Sequence, residues 1–526
     1  MFAFRNLLIP FMLKSTLLLS LLSGSLALAQ STVPTVSTYQ APVFTDPERV
    51  KKIEAAWPVI EKLYQDYAQK QHFPGMAYGL VVDGKLLKAG ATGYTDLAQK
   101  TPATPASLFR IASMTKSLTA MAILKLRDEG KIRLDDPAEQ YVPQLKKLRY
   151  LTTDSPRITV RNLLTHSAGF PEDNPYGDRQ LGDSEAELTR FLDGGVSLSN
   201  VPGVAYEYSN LGFVLLGRIL TNVTGKPYQQ YITESILKPL GMNDTRWEYT
   251  QIPADKLAHG YRWQGNEWLE EELLHDGSHG AMGGLITSIN DFSKYMAVHQ
   301  QAWPPHSGAE TGPIRRASVR EMQQPWTFSY INGAFRYPDG RACPMTSSYA
   351  YGLRWSHDCG DRVYVGHTGG LPGFGSQWWV MPEYGIGVVA YGNLTYASMG
   401  SVNWAVLDTL IRSAELKPRQ LPVSPILAQR KAELVKLLPD WANAERSGIF
   451  AENFFPDRSV ALRRQEAQAL FSKIGKITSV GELMPENQLR GTFRLAGERG
   501  AIDVFFTLTP ENPALIQQLD LHEVKP

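Results

Sequence analysis

The chain has 526 residues, too many for one ordinary hydrophobic core, and its length alone suggests roughly two to four folding units. Its 53 basic and 52 acidic residues give a formal net charge of +1 with no run of Lys or Arg, which excludes the electrostatic footprint of a nucleic-acid binder. The expected partner is a small-molecule or short-peptide substrate, and nothing in the composition sets an oligomeric state.

The first element is MFAFRNLLIPFMLKSTLLLSLLSGSLALAQ, where Arg5 and Lys14 precede an apolar stretch from Leu17 to Leu28 and a small-x-small end at Ala27-Leu28-Ala29. That is the pattern of an export signal over residues 1–29, and its apolar run is shorter than the roughly 20 residues of a spanning helix. The expectation is a periplasmic or secreted protein with no integral membrane anchor after signal removal. Residues 30–45 read as a polar N-terminal tail.

From Asp46 to about Gln71, apolar positions including Ile53, Ala56, Ile60 and Tyr64 recur at three- and four-residue intervals, predicting one amphipathic helix. In GMAYGLVVDGKLLKAGATGYTD, two strand-like runs flank Asp83-Gly84, a dipeptide suited to a tight hairpin turn. A second helix begins within FRIASMTKSLTAM, residues 109–121, and ends near Gly130. Residues 140–340 read as a helical insertion, with helices at 184–192, 211–223, 227–237 and 290–299. Strands resume at 349–357, 361–366, 375–381 and 385–392, and a helix follows at 401–414. The sheet is thus begun early and completed late.

A linker is expected at 416–425, where KPRQLPVSP supplies prolines. Residues 426–526 read as a small α+β domain of cystatin-like or nuclear-transport-factor-2-like shape, with a helix at 426–437 and alternating runs near 476–484, 489–496, 501–508 and 514–521. The two cysteines, Cys343 and Cys359, are expected to pair as a disulfide in the oxidising compartment that an exported protein meets, the alternative being two unpaired thiols in a loop.

Ser113 and Lys116 stand one helical turn apart, which puts both side chains on one face. The backbone N–H groups and positive dipole end of a helix N-terminus suit an oxyanion, and a lysine of lowered pKa can take a hydroxyl proton. The motif alone is cheap: Ser235 and Lys238 repeat it just before Pro239, and Tyr-x-Asn occurs at Tyr208, Tyr330 and Tyr391. Order decides between the copies. Ser113-Met-Thr-Lys116, then Tyr208-Ser-Asn210 in YEYSNLGFVLLG, then His367-Thr-Gly-Gly370 in VYVGHTGGLPGFG follow one another along the chain.

This ordered trio resembles the serine β-lactamase and penicillin-binding-protein superfamily, in its branch of class C β-lactamases, D-amino-acid peptidases and esterases. LLTHSAGF and GAMGGLITSINDFSKYM are similar to that branch as well, and the resemblance covers about residues 46–415. It implies an α/β (α+β) fold: a β-lactamase/transpeptidase-like antiparallel sheet between helices, with an all-helical insertion, followed by the small C-terminal α+β domain. It also implies roles. Ser113 is the nucleophile, Lys116 activates it, and Tyr208 is a general base, either as phenolate or through a hydrogen-bond chain with Lys116. Asn210, His367, Thr368 and Gly369 bind substrate, and the N–H groups of Ser113 and Gly370 form the oxyanion hole.

One departure bears on the substrate. Many members have Lys where this chain has His367, and a mostly neutral imidazole meets a substrate carboxylate less well than an ammonium. That favours D-residue peptides, amides or small esters over β-lactams, with a β-lactamase or a non-catalytic sensor as the other readings. His166 is expected to hold a loop beneath the site. His275, Asp276 and His279 have metal-like spacing, but Gly277 and Ser278 make the segment a turn, so no metal and no cofactor are expected. A Gly-x-Ser-x-Gly elbow is absent from the sequence.

Overall fold

A computed structural model describes residues 39–525 except Pro175 and Pro439, so the expected export signal at 1–29 and most of the tail at 30–45 lie outside the described residues. The first helical segment is two helices, α1 (Arg49–Ala55) and α2 (Trp57–Lys70), rather than one. Pro58 is the cause: it sits in the first turn of α2, where its missing N–H is tolerated, and cannot continue the ladder of α1. The hairpin β1 (Gly75–Val82) and β2 (Lys85–Asp96) follows, with φ of 49° at Asp83 and 76° at Gly84, both on the positive side that a primed turn needs.

After β3 (Thr101–Pro102) and β4 (Phe109–Arg110), the chain makes a 3₁₀ turn at Ala112–Met114 and enters α3 (Thr115–Asp128). The insertion carries α4 (Val160–Leu164), α5 (Glu185–Asp193), α6 (Asn210–Thr224) and α7 (Tyr228–Ile232). It is not all-helical. It also contains β5 (Tyr261–Gln264) and β6 (Glu267–Glu270), which form a hairpin, and β7 (Ile286–Thr287), before α8 (Ile289–Gln301) and α9 (Arg316–Met322). Then come β8 (Thr327–Asn332), β9 (Met345–Tyr349), β10 (Arg354–Asp358), β11 (Val363–Leu371), β12 (Phe374–Met381), β13 (Ile386–Gly392) and α10 (Gly400–Ser413). The single strand expected at 349–357 is the end of β9 and most of β10, parted by a turn through Gly352 at φ 64°.

Nine strands form one antiparallel sheet in the order β3-β2-β1-β13-β12-β11-β10-β9-β8. Along β1, Ala77 and Val81 enter the core shared with α3 and α8, while Met76, Tyr78, Leu80 and Val82 enter the core shared with α2 and α10. Burial on both faces is why this strand reads as an unbroken apolar run rather than an alternating one. Each such aliphatic side chain contributes about 1.5–3 kcal/mol relative to exposure.

One detail of register makes room for a site. β11 pairs with β12 from Val365 to Leu371, but with β10 only from Val363 to Gly366. From His367 to Leu371, one edge of β11 is therefore left without a strand partner. The 3₁₀ turn before α3 is fastened against this half of β11: Ser376 on β12 donates to Ile111 O at 2.8 Å, and a Cβ on Gly369 would lie 2.2 Å from Ile111 O.

The C-terminal part has α11 (Pro425–Leu437), α12 (Phe454–Asp457), α13 (Val460–Ile474) and a four-stranded antiparallel meander, β14 (Ile477–Asn487), β15 (Arg490–Gly497), β16 (Ala501–Leu508) and β17 (Ile516–Glu523). Phe493, Leu495, Ile502, Val504 and Phe506 point to one face and pack with Leu427, Leu434 and Trp441 in a core of their own. Cys343 and Cys359 are joined by a disulfide. Among the described residues, no helix is long and apolar enough to cross a membrane.

Candidate active site

Ser113 lies in the 3₁₀ turn at the N-terminal end of α3, half-buried, with its neighbours on both sides buried. Ala112, just before it, has φ 49°, a left-handed conformation that a residue with a Cβ adopts only when its surroundings hold it there. Gly369 on β11 allows that approach, since a Cβ there would stand 2.2 Å from Ile111 O and 3.1 Å from Ala112 Cβ.

Lys116 is fully buried, and its Nζ lies 3.0 Å from Ser113 Oγ, 2.8 Å from Asn210 Oδ1 and 2.8 Å from Met282 O. Burial pulls the amine from its ordinary 10.5 down to about 7; Asp178 and Asp173 oppose the shift and Arg354 adds to it. A neutral amine has two N–H bonds and one lone pair. Asn210 Oδ1 and Met282 O cannot donate, so they take the two N–H bonds and leave the lone pair facing the Ser113 hydroxyl. That is the arrangement of a base poised on a nucleophile.

Tyr208 is 6% exposed and lies beside Ser113. Burial pushes its phenol well above its ordinary value, so it is a neutral O–H donor and not a phenolate at neutral pH. The Lys116 Nζ stands 5.0 Å from its ring centroid. His166 packs against the ring at a tilt of 41° with the centroids 4.3 Å apart, accepts the Ser209 N–H through Nδ1 at 3.1 Å, and is kept neutral by burial. The loop-holding part expected for His166 matches this placement.

Asn210 opens α6, where Ser209 caps the helix by accepting from Gly212 N. Asp173 accepts from the N–H groups of Asn210 and Leu211 and from Ser209 Oγ, placing a carboxylate at the positive end of the helix. Asn210 is further fixed by donating from Nδ2 to Tyr176 O at 2.9 Å.

His367 is fully enclosed, unlike a side chain that meets substrate directly. Its Nδ1 faces Thr368 O at 2.5 Å and therefore carries the proton, so Nε2 accepts from the Tyr349 hydroxyl at 2.9 Å. Burial, Arg354 and Lys116 all hold it neutral. Thr368, Gly369 and Gly370 follow along the unpaired edge of β11.

The cation missing at position 367 is present elsewhere. Arg354, the first residue of β10, lies opposite both Tyr349 and Gly366, with its guanidinium carbon 5.6 Å from the Tyr208 ring centroid. No carboxylate lies within ion-pair distance of it among the described residues, its Nε is buried without a partner, and it lines a cavity of about 310 Å³ together with Thr368. Sequence reasoning passed over Arg354 because the aromatic groups around it, Tyr206, Tyr208, Tyr330 and Tyr349, come from three separate segments.

The other copies of the motifs lie elsewhere. Ser235 Oγ donates to Tyr231 O at 2.6 Å and stays within its own helix. Tyr330 is exposed on β8, and Asn393 near Tyr391 holds Gly75 N and the carbonyls of Tyr94 and Thr95. His275 bonds to Glu248 at 3.1 Å, whereas Asp276 accepts from Gln229 and His279 sits beside Ser278. Among the described residues, no group of three or more His, Cys, Asp or Glu is placed to hold a metal ion.

Residues 60–411 match the Beta-lactamase family. Protein flp of Staphylococcus aureus (strain N315) is 31% identical over 337 residues, 64% of this chain and 62% of that protein, so the chain spans less than two thirds of this relative's length. The D-alanyl-D-alanine-carboxypeptidase/endopeptidase AmpH of Escherichia coli (strain K12) is 27% identical over 390 residues, 71% of this chain and 95% of AmpH. Among solved structures, the octameric penicillin-binding protein homologue from Pyrococcus abyssi aligns with a TM-score of 0.56 at 22% identity, over 89% of this chain and 96% of that one, a likeness of fold.

Proposed function

The chain belongs to the Beta-lactamase family, and on that premise we propose that it is an exported serine hydrolase that works through an acyl-enzyme on Ser113, acting on short D-residue peptides and amides or on small esters. The observation that carries this reading is the Lys116 amine, neutral near pH 7 and set with its lone pair toward Ser113 Oγ at 3.0 Å. In acylation, the Ser113 oxygen bonds to the substrate carbonyl carbon as its proton passes to Lys116. The oxyanion receives the N–H groups of Ser113 and Gly370. As the leaving group departs, Lys116 returns the proton to it, with the neutral Tyr208 phenol as the relay. Water then attacks the ester, giving up a proton to the same amine, and as the bond from the carbonyl carbon to Ser113 Oγ breaks Lys116 passes that proton to Oγ, releasing the acid and restoring the free serine.

Arg354 and Thr368 supply the substrate contact. A carboxylate on the leaving group fits between the Arg354 guanidinium, which has no acidic partner among the described residues, and the Thr368 hydroxyl in the cavity the two share. The name of the AmpH relative, a D-alanyl-D-alanine-carboxypeptidase/endopeptidase, is consistent with a leaving residue that ends in a carboxylate. A β-lactam is the second reading, because the same cation can receive the carboxylate of that ring system.

The test compares a D-Ala-type dipeptide carrying a free C-terminal carboxylate with its C-terminal amide, in wild type and Arg354→Gln. The expected result is that wild type prefers the free acid and that the substitution removes at least about tenfold of that preference, the size of a lost charge-assisted pair, while leaving the amide unchanged. Equal turnover of acid and amide by the wild type contradicts the assignment of Arg354, and turnover of a penicillin above both peptides establishes the second reading.

A further inference from the structure

The segment Glu172–Asp183, between LLTHSAGF and α5, does more than fix Asn210. Its near end is anchored on the Lys116 side of the groove, by Asp173 at the start of α6 and by Tyr176 O against Asn210. Its far end reaches the opposite wall. Asp178, 2% exposed, accepts from the Tyr396 hydroxyl at 3.0 Å. Arg179 reaches Glu271 at 3.6 Å, and Glu271 in turn accepts from Thr395 Oγ1 at 3.2 Å.

Tyr396 belongs to the sheet side. Its N–H donates to Leu371 O, and its ring carbon Cδ1 lies 3.1 Å from where a Cβ on Gly370 would stand. Gly369 faces the nucleophile turn, so Gly370, its neighbour along the strand, faces the other way. The Asp178–Tyr396 bond therefore joins one wall to the other past the unpaired edge of β11, at its Leu371 end. The groove along that edge has Arg354 and its cavity toward Gly366 and this tie toward Leu371.

We propose that Asp178 and Tyr396 close the acyl end of the groove, so that the enzyme accepts only substrates whose acyl half is the size of a single residue or a short fatty acyl chain, while the leaving-group half extends toward Arg354. This deepens the serine-hydrolase reading and rests on it. The Tyr396 ring packs on the face of Gly370 turned away from the nucleophile turn, and its hydroxyl reaches round to Asp178 at the Leu371 end of the strand, so an acyl chain that runs along the unpaired edge beyond Gly370 meets this tie. Neither side chain is hydrogen-bonded to Ser113 or Lys116; loss of the Asp178 charge lowers the Lys116 amine further, an effect common to all esters that a ratio within one protein cancels. Tyr396 has φ 50°, a conformation glycine adopts freely, so Tyr396→Gly removes the ring without imposing backbone strain.

The experiment measures kcat/KM for p-nitrophenyl acetate, butyrate and octanoate in wild type, Tyr396→Gly and Asp178→Ala, and reads the ratio of octanoate to acetate within each protein. Wild type is expected to disfavour octanoate by at least about tenfold, the discrimination a closed pocket exerts on a few methylenes, and each variant is expected to recover most of that ratio. The ratio is insensitive to the fraction of enzyme folded, and the two variants open the tie from opposite walls. A wild type that takes octanoate as readily as acetate, or a ratio unmoved in both variants, overturns the proposal. Absence of turnover of every ester, together with absence of a fluorophosphonate adduct, removes the serine-hydrolase premise and the proposal with it, an outcome distinct from the other two.

Discussion

Lys116 earns its role from where its side chain ends: in an enclosed site with two carbonyl-type acceptors and one hydroxyl. Only the neutral amine can accept the Ser113 proton, so kcat/KM on a neutral ester is expected to fall as pH drops through about 7 and to level off above it. Lys116→Ala should lose about 10²–10⁴ in rate and, in its residual activity, the step near pH 7. A profile flat from pH 5.5 to 8 in the wild type would assign the base elsewhere. The same burial has a thermodynamic side. Between about 7 and 10.5 the unfolded chain holds the proton that folded Lys116 has shed, so this group's contribution to stability grows as pH rises through that window. Ser113, Lys116, Tyr208 and Asn210 were legible in the sequence because their order along the chain is specific even though each motif is common. Asp173, Tyr349 and Arg354 were not. Each acts through partners far away in sequence, such as α6 for Asp173 and His367 for Tyr349, and no local spacing encodes those contacts. The burial of His367 was equally hidden, because a strand residue does not announce which face its sheet will cover.

At the scale of elements, the site depends on how closely the turn before α3 approaches β11. Gly369→Ala would put a methyl group 2.2 Å from Ile111 O, a backbone atom that cannot move without shifting Ser113. The expected cost is about 1–3 kcal/mol of stability, read as a lower Tm, together with a loss of acylation rate. Gly212→Ala is the control: its new methyl group would meet nothing nearer than Leu163 O at 3.6 Å, inside a helix that favours alanine, so an unchanged or higher Tm is expected. An equal Tm for the two variants would show that the turn is not packed as described. The long helices and the inner strands were readable because each buries a full stripe or both faces. β8 was not, since Phe328, Tyr330 and Ile331 on this edge strand are 58%, 52% and 67% exposed and give no core-facing pattern. α13 was missed for a related reason: Ala467 and Ile474 are its only buried residues, which leaves the helical stripe faint.

Across the whole molecule, the sheet separates two cores and the C-terminal meander closes a third, each with its own aromatic and aliphatic residues. The early hairpin and the late strands meet as β1 and β13, seven residues in register from Met76↔Gly392 to Val82↔Ile386. That closure was legible as a sheet begun early and finished late. The strands inside the insertion were not, because β5 and β6 form a short two-stranded sheet apart from the main one and carry mostly exposed side chains. The geometry brings Ser113, Lys116, Tyr208 and Asn210 of the ordered trio together, and the central claim is that this cluster activates a single serine. The most direct measurement is the intact mass of the protein after exposure to a fluorophosphonate, for wild type, Ser113→Ala and Ser235→Ala. The account expects one adduct, formed as Ser113 Oγ displaces fluoride from phosphorus, in wild type and Ser235→Ala and none in Ser113→Ala. A folded wild type without an adduct, or an adduct that survives Ser113→Ala, would contradict it.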